Sequence, residues 1–339
     1  MSQASTESAA QTPAAPPGLI IREFSGSEAD YAAAVAVCNA AFPEYPESVE
    51  EWKEHDQRQP PHLKCRRWLA ETEGEAVGFA SYDQPETMYH PRLFTFFAAV
   101  RPERQGQGVG RALYATVTAA LAPLDPLRIR AHCRSDYARS MRFLTERGFV
   151  EDRREWESRL AVAGFDPAPF AGHVERVLAS GIRIVTLREL IEGDPEHRRK
   201  LYDLDVTLAR DVPSPEPFTA PSPESFERYV FENRDLLPEG FFVAIDGQRY
   251  VGLSALWKSE KEPDTLYTGL TGVRREYRRR GIALALKLCA IEYARRHGIQ
   301  TLKTWNESSN QGMLSINEAL GFVKQPAWVS FVKRLQSEA

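Results

Sequence analysis

Apolar residues recur along this chain with two periods, and the resulting order of strands and helices occurs twice. Alternation of apolar and polar residues predicts strands, and a recurrence every three to four residues predicts helices. For the first half, the order is strand 18–24, helices 27–42 and 47–57, strands 64–71, 76–83 and 93–100, a helix to 121, strand 127–133, helix 136–147, and one or two strands over 149–160. For the second half, it is strand 182–187, helices 195–209 and 225–234, strands 241–245, 250–258 and 265–273, a helix after 281, strand 300–305, helix 309–320 and strand 327–332.

One spacing relates the two halves. Gly148-Phe149 and Gly321-Phe322 are 173 positions apart, and so are two Gly-rich turns that each precede a helix. The apolar faces of those helices also correspond at this offset, with Thr116 opposite Cys289 as the exception. The first strands are offset by less, so the second half carries about ten extra residues, which we assign to the Pro-rich segment 211–223. A duplicated unit is the interpretation that fits all of these landmarks.

Length and composition agree with two domains. The chain has 339 residues, a net charge of −4 and four cysteines without a CxxC pair. We predict a disordered tail over 1–17, domains at 18–163 and 181–339, and an ordered linker with a helix at 164–180. The tail lacks the pattern of a signal peptide, and the sequence contains no apolar run long enough to span a membrane. We therefore expect a cytoplasmic protein with neither nucleic-acid nor membrane partners, as a monomer or homodimer.

The two Gly-rich turns are the strongest chemical feature. The first contains the residues Gln105, Gly106, Gln107, Gly108, Val109, Gly110 and Arg111; the second contains Arg278, Arg279, Arg280, Gly281, Ile282 and Ala283. Each lies between a predicted strand and helix, where unpaired N–H groups and the helix dipole favour an anion such as a pyrophosphate. The arginines before the second helix oppose its dipole, which suggests a compensating anion. A surface turn with exposed arginines is the alternative.

Neither of two common phosphate-binding patterns fits these turns. The chain has no G-x-x-x-x-G-K-[ST] motif, and the G-x-G-x-x-G spacing fails at Arg111 and Leu113. Both turns instead follow Gln/Arg-x-x-Gly-x-Gly/Ala, and a Gly-Phe pair follows the last helix of each unit. In these motifs and their order the sequence resembles the GNAT superfamily, the Gcn5-related N-acetyltransferases. The resemblance covers nearly the whole chain after the tail as two tandem units, a layout similar to mycothiol-synthase-type proteins.

The resemblance implies an α/β (α+β) fold of two tandem GNAT domains, each a splayed, mixed and mostly antiparallel sheet flanked by helices. It also implies acetyl-CoA as co-substrate, without a metal. The pyrophosphate would bind the two turns, and the pantetheine arm would pair with the preceding strand, at Ala99 and Val100 or at Gly272 and Val273. Asn310 corresponds to the helix-start asparagine that commonly contacts CoA in the family, and Asn306 ends the neighbouring strand.

Catalytic residues are less clearly indicated. Many members of the family use a Tyr four residues before the Gly of the Gly-Phe pair, where this chain has Leu144 and Asn317. We select Asn317, Asn310, Tyr267 and Tyr137 as catalytic candidates. A helix cap is the alternative for Asn310, a solvated position for Asn317, and a packed aromatic for Tyr137.

The general base has several candidates, all in loops where a solvated side chain is the commoner role. Carboxylates precede the strand 265–273 and open the Pro-rich segment, and polar residues occupy a similar place in the first unit. They are Glu260, Glu262, Asp264 and Asp211, and in the first unit Glu86, Tyr89 and His90.

The resulting hypothesis is an N-acetyltransferase that moves an acetyl group directly from acetyl-CoA to the primary amine of a small molecule, with the second unit as the catalytic one. Two alternatives stay open. One is a protein that binds or senses acyl-CoA without transferring the acyl group, which the missing Tyr in both units would fit. The other is a protein N-acetyltransferase or an enzyme with a different acyl donor.

Overall fold

A computed structural model describes residues 16–336, and the strands of this range form one mixed sheet. The strands are β1 (Leu19–Glu23), β2 (Arg66–Thr72), β3 (Glu75–Asp83), β4 (Leu93–Val100), β5 (Arg128–Arg134), β6 (Val150–Ala161), β7 (Ile182–Thr186), β8 (Leu236–Asp246), β9 (Arg249–Trp257), β10 (Thr265–Val273), β11 (Thr301–Glu307), β12 (Val323–Lys324) and β13 (Trp328–Arg334). Residues 1–15 of the predicted disordered tail lie outside the described residues.

Helices cover the sheet. They are α1 (Glu28–Ala41), α2 (Val49–Arg58), α3 (Val109–Leu121), α4 (Ala138–Thr145), α5 (His173–Ala179), α6 (Leu187–Gly193), α7 (His197–Ala209), α8 (Pro223–Val230), α9 (Ile282–Arg296) and α10 (Gln311–Ala319). The sequence prediction missed α6. Its start is fixed locally, because the Thr186 side chain and Glu189 form a capping box.

Each half of the sheet is splayed at one place. β4 pairs in parallel with β5 over three residues, and β10 pairs in parallel with β11 over three residues, from Thr265–Thr301 to Tyr267–Lys303. The pairing ends there, although β4 and β10 continue and pair on their other side with β3 and β9. All remaining strand pairs are antiparallel among the described residues. The predicted fold class is confirmed.

The two units exchange strands. The strand order is β1-β2-β3-β4-β5-β13-β6-β11-β10-β9-β8-β7, with β12 beside β6. Strand β13, at the end of the second unit, therefore lies between two strands of the first unit. In return, β6 of the first unit pairs along β11 of the second. The two halves share one hydrogen-bonded sheet, and the domain boundaries at 163 and 181 remain a prediction.

Lys287 is a buried cation in the core of the second half. Lys287 on α9 is 3% exposed, and its Nζ lies 5.3 Å from the ring centre of Phe322. Burial lowers the pKa of Lys287 from 10.5 to about 8, because desolvation disfavours the charged form. Below pH 8 the folded protein therefore bears the cost of a buried charge. Between pH 8 and 10.5 the lysine is protonated only in the unfolded chain. The free energy of unfolding therefore rises with pH over this range, until the destabilisation is lost.

Lys287→Met is accordingly expected to raise the free energy of unfolding at pH 7 by about 1 kcal/mol. The gain should shrink towards zero by about pH 10.5, where an unfolded-chain lysine is also losing its charge. Urea unfolding of both proteins at pH 7 and pH 10 measures the difference. The exposed Lys258→Met is the control and should show no such trend. A Lys287→Met protein less stable than wild type at pH 7 would contradict the expected cost of burial.

Candidate functional site

A cavity of about 530 Å³ opens beside the second Gly-rich turn. Its wall combines β10, the turn, the start of α9, the start of α10 and the end of α7. Seven of its residues on the turn and on β10 were predicted from the sequence to bind the cofactor: Gly272, Val273, Arg278, Arg279, Gly281, Ile282 and Ala283. Asn310, also predicted, lines it too. The volume lies within the range of about 300–1,000 Å³ typical of ligand sites.

The turn before α9 holds its backbone in a conformation that suits an anion. Gly281, the residue before the helix, has φ +78°, and Arg279 has φ +62°, in the left-handed region. Successive N–H groups in such a turn point into one concave site. The Arg278 side chain is tied to the strand, since its Nε donates to the Val273 carbonyl oxygen at 3.1 Å. Gln105 makes the same bond in the first unit, from Nε2 to the Val100 carbonyl oxygen at 3.1 Å.

A carboxylate already neutralises part of the positive charge at this cavity. Asp211, which opens the Pro-rich segment, accepts from Arg275 Nε at 2.9 Å and also pairs with Arg278. The hydrogen bond from Arg275 is the largest reason that the pKa of Asp211 lies below its ordinary value. Asp211 therefore stays ionised at neutral pH, and a ligand anion at Arg278 has to compete with it.

The linker helix supports the turn from outside, which the sequence did not indicate. His173, the first residue of α5, makes a 3.0 Å hydrogen bond between Nε2 and the Gly281 carbonyl oxygen. A Cβ atom at Gly281 would lie 2.9 Å from Cε1 of His173, so the glycine is also required for this packing.

Two of the predicted asparagines differ in position. Asn310 lines the cavity and caps α10, with Oδ1 accepting from the Met313 N–H at 3.3 Å. Asn317 is buried at 1% exposure, and its Nδ2 donates to Asn306 Oδ1 at 2.6 Å. Neither Asn317 nor Asn306 is part of the cavity wall, and their hydrogen bond joins α10 to β11.

Tyr267 lies where the second sheet half begins to splay. Its hydroxyl donates to Glu262, and its ring stacks on Trp305 with centres 5.6 Å apart and planes 8° from parallel. Lys303, 2% exposed, donates from Nζ to the two carboxylate oxygens of Glu262 at 2.7 and 2.8 Å. Burial, and then the bond to Glu262, raise the pKa of Tyr267, so its phenol is neutral at physiological pH.

First-unit residues reach this polar cluster across the junction. Lys303 Nζ also donates to the Glu44 carbonyl oxygen at 3.3 Å. The neighbouring Tyr45 donates to Glu157, a carboxylate with 0% exposure, and accepts from Trp328 Nε1 at 3.2 Å. Burial, and next the bond to Glu157, raise the pKa of Tyr45 to about 12. Sequence reasoning missed these residues, because they become neighbours only through the exchanged strands.

Tyr137, the candidate from the first unit, joins the far end of the same cluster. Its hydroxyl donates to Glu44 Oε2 at 2.8 Å, and its ring stacks on Phe42 at 5.9 Å. Burial, and then the bond to Glu44, raise the pKa of Tyr137. The structure therefore connects Tyr137 and Tyr267 through one polar network, named here the junction cluster: Glu44, Tyr45, Tyr137, Glu157, Glu262, Tyr267 and Lys303.

The remaining base candidates have other partners. Glu260 accepts from Ser48 Oγ at 3.3 Å and pairs with Arg234 at 3.2 Å. The Asp264 backbone carbonyl accepts from the N–H groups of Gln300 and Thr301. In the first unit, His90 Nδ1 accepts a hydrogen bond from the Arg92 N–H at 3.1 Å. Of the carboxylates proposed before β10, Glu262 is the one bonded to Tyr267.

Residues 16–336 lack two further features. No group of three or more His, Cys, Asp or Glu side chains in this range is arranged to hold a metal ion. No helix in this range is both long and apolar enough to cross a membrane.

Comparison with known proteins agrees with the duplicated architecture. The model of the acetyltransferase (GNAT) family matches the chain twice, at residues 34–149 and 207–322. A mycothiol acetyltransferase of Rhodococcus opacus is 27% identical over 274 residues, which are 79% of this chain and 83% of the relative. A second, of Stackebrandtia nassauensis, is 25% identical over 284 residues, 81% of this chain and 83% of the relative.

Solved structures share the fold. A GCN5-related N-acetyltransferase from Sphaerobacter thermophilus superposes with a TM-score of 0.69 at 20% identity, over 96% of this chain and 98% of its own. A tandem GNAT protein from the clavulanic acid biosynthesis pathway gives a TM-score of 0.71 at 19% identity, over 95% and 100%. At these identities the likeness concerns the fold alone.

Proposed function

The chain belongs to the acetyltransferase (GNAT) family, and from that premise we propose that it transfers an acetyl group from acetyl-CoA to the primary amine of a small molecule. The second unit is the proposed site of the reaction. The observation that carries this assignment is the cavity at its Gly-rich turn, whose wall contains eight of the residues predicted to bind the cofactor.

The residues of this cavity fit acetyl-CoA. Arg278, Arg279 and the N–H groups before α9 supply positive charge and donors for a pyrophosphate. Thr271, Gly272 and Val273 belong to the part of β10 that has left β11, so their backbone is available to an extended ligand. Leu270, Met313 and Ile316 add an apolar wall. When bound, acetyl-CoA supplies the activated acetyl group.

The acceptor is proposed to approach from the junction cluster. Leu266 and Leu302 pack in the core with α9, so their neighbours Tyr267 and Lys303 point to the opposite face of the sheet. Tyr267 is three residues from the cavity residue Leu270, which is about 10 Å along a strand. The amine can therefore approach from the face opposite α9.

Glu262 is the residue we propose to take the proton from the acceptor amine. An amine attacks only in its neutral form, so a base must accept a proton near the acetyl group. The phenols of Tyr267 and Tyr45 have raised pKa values and act as hydrogen-bond donors rather than as phenolate bases. Lys303 holds the Glu262 carboxylate through two hydrogen bonds, and Tyr267 orients it.

The chemistry of the junction cluster suits a polar acceptor. Its three carboxylates lie among aromatic rings, and each is paired with a cation: Glu44 with Arg134, Glu157 with Arg159, and Glu262 with Lys303. The paired carboxylates can still accept hydrogen bonds, and the rings can attract an ammonium group. Mycothiol is one candidate acceptor, because it appears in the names of the curated relatives.

A CoA-binding protein without transferase activity is the second candidate function. It is favoured by one observation, the absence of a Tyr at positions 144 and 317, where the chain has a leucine and an asparagine. Without an acid for the departing thiolate, the complex would be stable and the protein would act as a sensor.

The discriminating experiment measures free CoA released from acetyl-CoA in the presence of an amine panel that includes a mycothiol-type acceptor. We expect acetyl-CoA alone to raise the thermal midpoint, since a ligand bound only to the folded state stabilises it. An amine-dependent release of CoA is expected for at least one acceptor. A midpoint shift with no release for any amine would favour the sensor, and the absence of both would contradict the proposal.

A further inference from the structure

The end of α7 carries an acidic residue at a place that the helix itself disfavours. Asp211 follows the helix by two residues, and its N–H donates to the Leu208 carbonyl oxygen at 3.0 Å, while the Val212 N–H donates to the Ala209 carbonyl oxygen at 3.1 Å. A carboxylate here meets the negative end of the helix dipole, which is unfavourable. The backbone of Asp211 is therefore held by α7, and its charge has to be compensated from elsewhere.

The compensation comes from the turn before α9. Arg275 and Arg278 both pair with Asp211, although the start of a helix disfavours positive charge. The Asp211 side chain is 12% exposed, whereas the side chains of Arg275 and Arg278 are 77% and 44% exposed. One largely buried carboxylate thus joins two helix ends at the cofactor cavity, whose wall includes both Asp211 and Arg278.

The first unit forms its Gly-rich turn without such ion pairs. The residues 173 positions before Arg275 and Arg278 are Pro102 and Gln105, which carry no charge. Asp211 itself opens the Pro-rich segment, to which we assign the extra residues of the second unit. The strand, turn and helix have the same order in both units, so the fold of the turn does not require the carboxylate.

Asp211 occupies an arginine that a phosphate ligand would use. Arg278 donates from Nε to the Val273 carbonyl oxygen and from Nη2 to Asp211. A pyrophosphate at this turn would lie close to the Asp211 carboxylate, and the two negative charges repel each other. Binding therefore includes the cost of separating Asp211 from Arg278. Because α7 holds the backbone of Asp211, the displaced carboxylate stays beside the site.

We propose that Asp211 is an internal counter-anion that sets the affinity of the second unit for acetyl-CoA. It pairs with Arg275 and Arg278 in the free protein, gives way to the pyrophosphate, and returns when CoA leaves. The inference rests on the proposed function, because it concerns the same cavity. Asp211 is thus a residue of the cavity wall that weakens cofactor binding, and weaker binding favours the release of CoA after each turnover.

Calorimetric titration with CoA tests this assignment. Asp211→Asn keeps the size of the side chain and is expected to lower the Kd for CoA by about fivefold or more. The gain should shrink at high salt, because salt screens the interaction between exposed charges. Asp203→Asn is the matched control: Asp203 lies on the same helix and pairs with Arg274, but neither residue lines the cavity. Its Kd should equal that of the wild type.

A second variant distinguishes competition from a purely structural ion pair. Arg275 is not part of the cavity wall, so Arg275→Gln leaves Asp211 to pair with Arg278 alone. It is expected to raise the Kd for CoA by about threefold in the wild-type background. In the Asp211→Asn background the same change should have a smaller effect, since the competing carboxylate is gone. Thermal unfolding verifies that each variant is folded.

The outcomes separate the two proposals. A folded Asp211→Asn protein whose Kd for CoA is higher than that of the wild type, or within about twofold of it, would overturn the role of Asp211. Equal effects of Arg275→Gln in the two backgrounds would overturn it as well. If neither the wild type nor Asp211→Asn binds CoA, the proposed function is contradicted instead.

Discussion

Gly281→Glu is expected to abolish detectable acetyl-CoA binding and to lower turnover by about 100-fold or more, which corresponds to about 2.7 kcal/mol. Three effects act together at this residue. The carboxylate would place negative charge where the helix dipole and arginines are proposed to hold a pyrophosphate. The backbone at φ +78° costs a residue with a side chain roughly 1–2 kcal/mol. The new Cβ would also press on His173, which is 2.9 Å away.

Gly108→Glu is the matched control for this change. Gly108 holds the same position in the first unit and has φ +93°, so its backbone penalty is similar. The two variants should lose comparable stability in thermal unfolding, but only Gly281→Glu should lose CoA binding and turnover. Activity that survives Gly281→Glu and disappears in Gly108→Glu would move the cofactor to the first unit.

Glu262→Gln is expected to lower kcat by about 100- to 1,000-fold while leaving the KM for acetyl-CoA nearly unchanged. Glutamine keeps the size of the side chain and a hydrogen-bond acceptor for Lys303, but it cannot take a proton. Because Glu262 is outside the cavity wall, cofactor affinity should not depend on it. Steady-state kinetics with the best acceptor from the amine panel, together with CoA titration, measure both quantities.

Two further variants keep this prediction testable. Glu262→Gln leaves the buried Lys303 without a charged partner, so part of any loss could reflect lower stability. Tyr267→Phe keeps the ion pair and should reduce kcat by only about tenfold, the value of one positioning hydrogen bond of about 1.4 kcal/mol. Glu86→Gln, in the corresponding loop of the first unit, should leave turnover unchanged. A folded Glu262→Gln enzyme within threefold of wild-type kcat would exclude Glu262 as the base.

Local patterns were enough to predict most of the elements. The predicted strands 93–100 and 265–273 coincide with β4 and β10, because alternating and β-branched residues there leave no competing interpretation. The predicted helix over 195–209 corresponds to α7, which begins at His197, but the separate helix α6 before it was missed. The capping box of Thr186 and Glu189 was the local signal that could have revealed α6.

The candidate site also has a part that the sequence predicts and a part that it does not. The cofactor residues lie within a few positions of one another on a strand, a turn and a helix, so a motif can report them. Lys303, Tyr45 and Glu157 come from three distant parts of the chain and meet only because β6 and β13 change places. Nothing in the local sequence of Glu157 distinguishes it from an exposed strand residue. Its complete burial depends on Tyr45 and Arg159 covering it.

Periodicity, turn chemistry and a constant 173-residue offset are local or repetitive properties, so the sequence alone indicates a duplicated unit with two Gly-rich helix starts. The resemblance of its motifs implies the GNAT fold. The different surroundings of the two starts are visible only in the tertiary structure. Arg139 and Gly312 occupy equivalent positions, but only packing shows that the arginine lies against its turn while the glycine lines a cavity. Burial and ion pairing depend on which distant segments of the chain meet. The exchange of strands between the two units determines which segments meet in this protein.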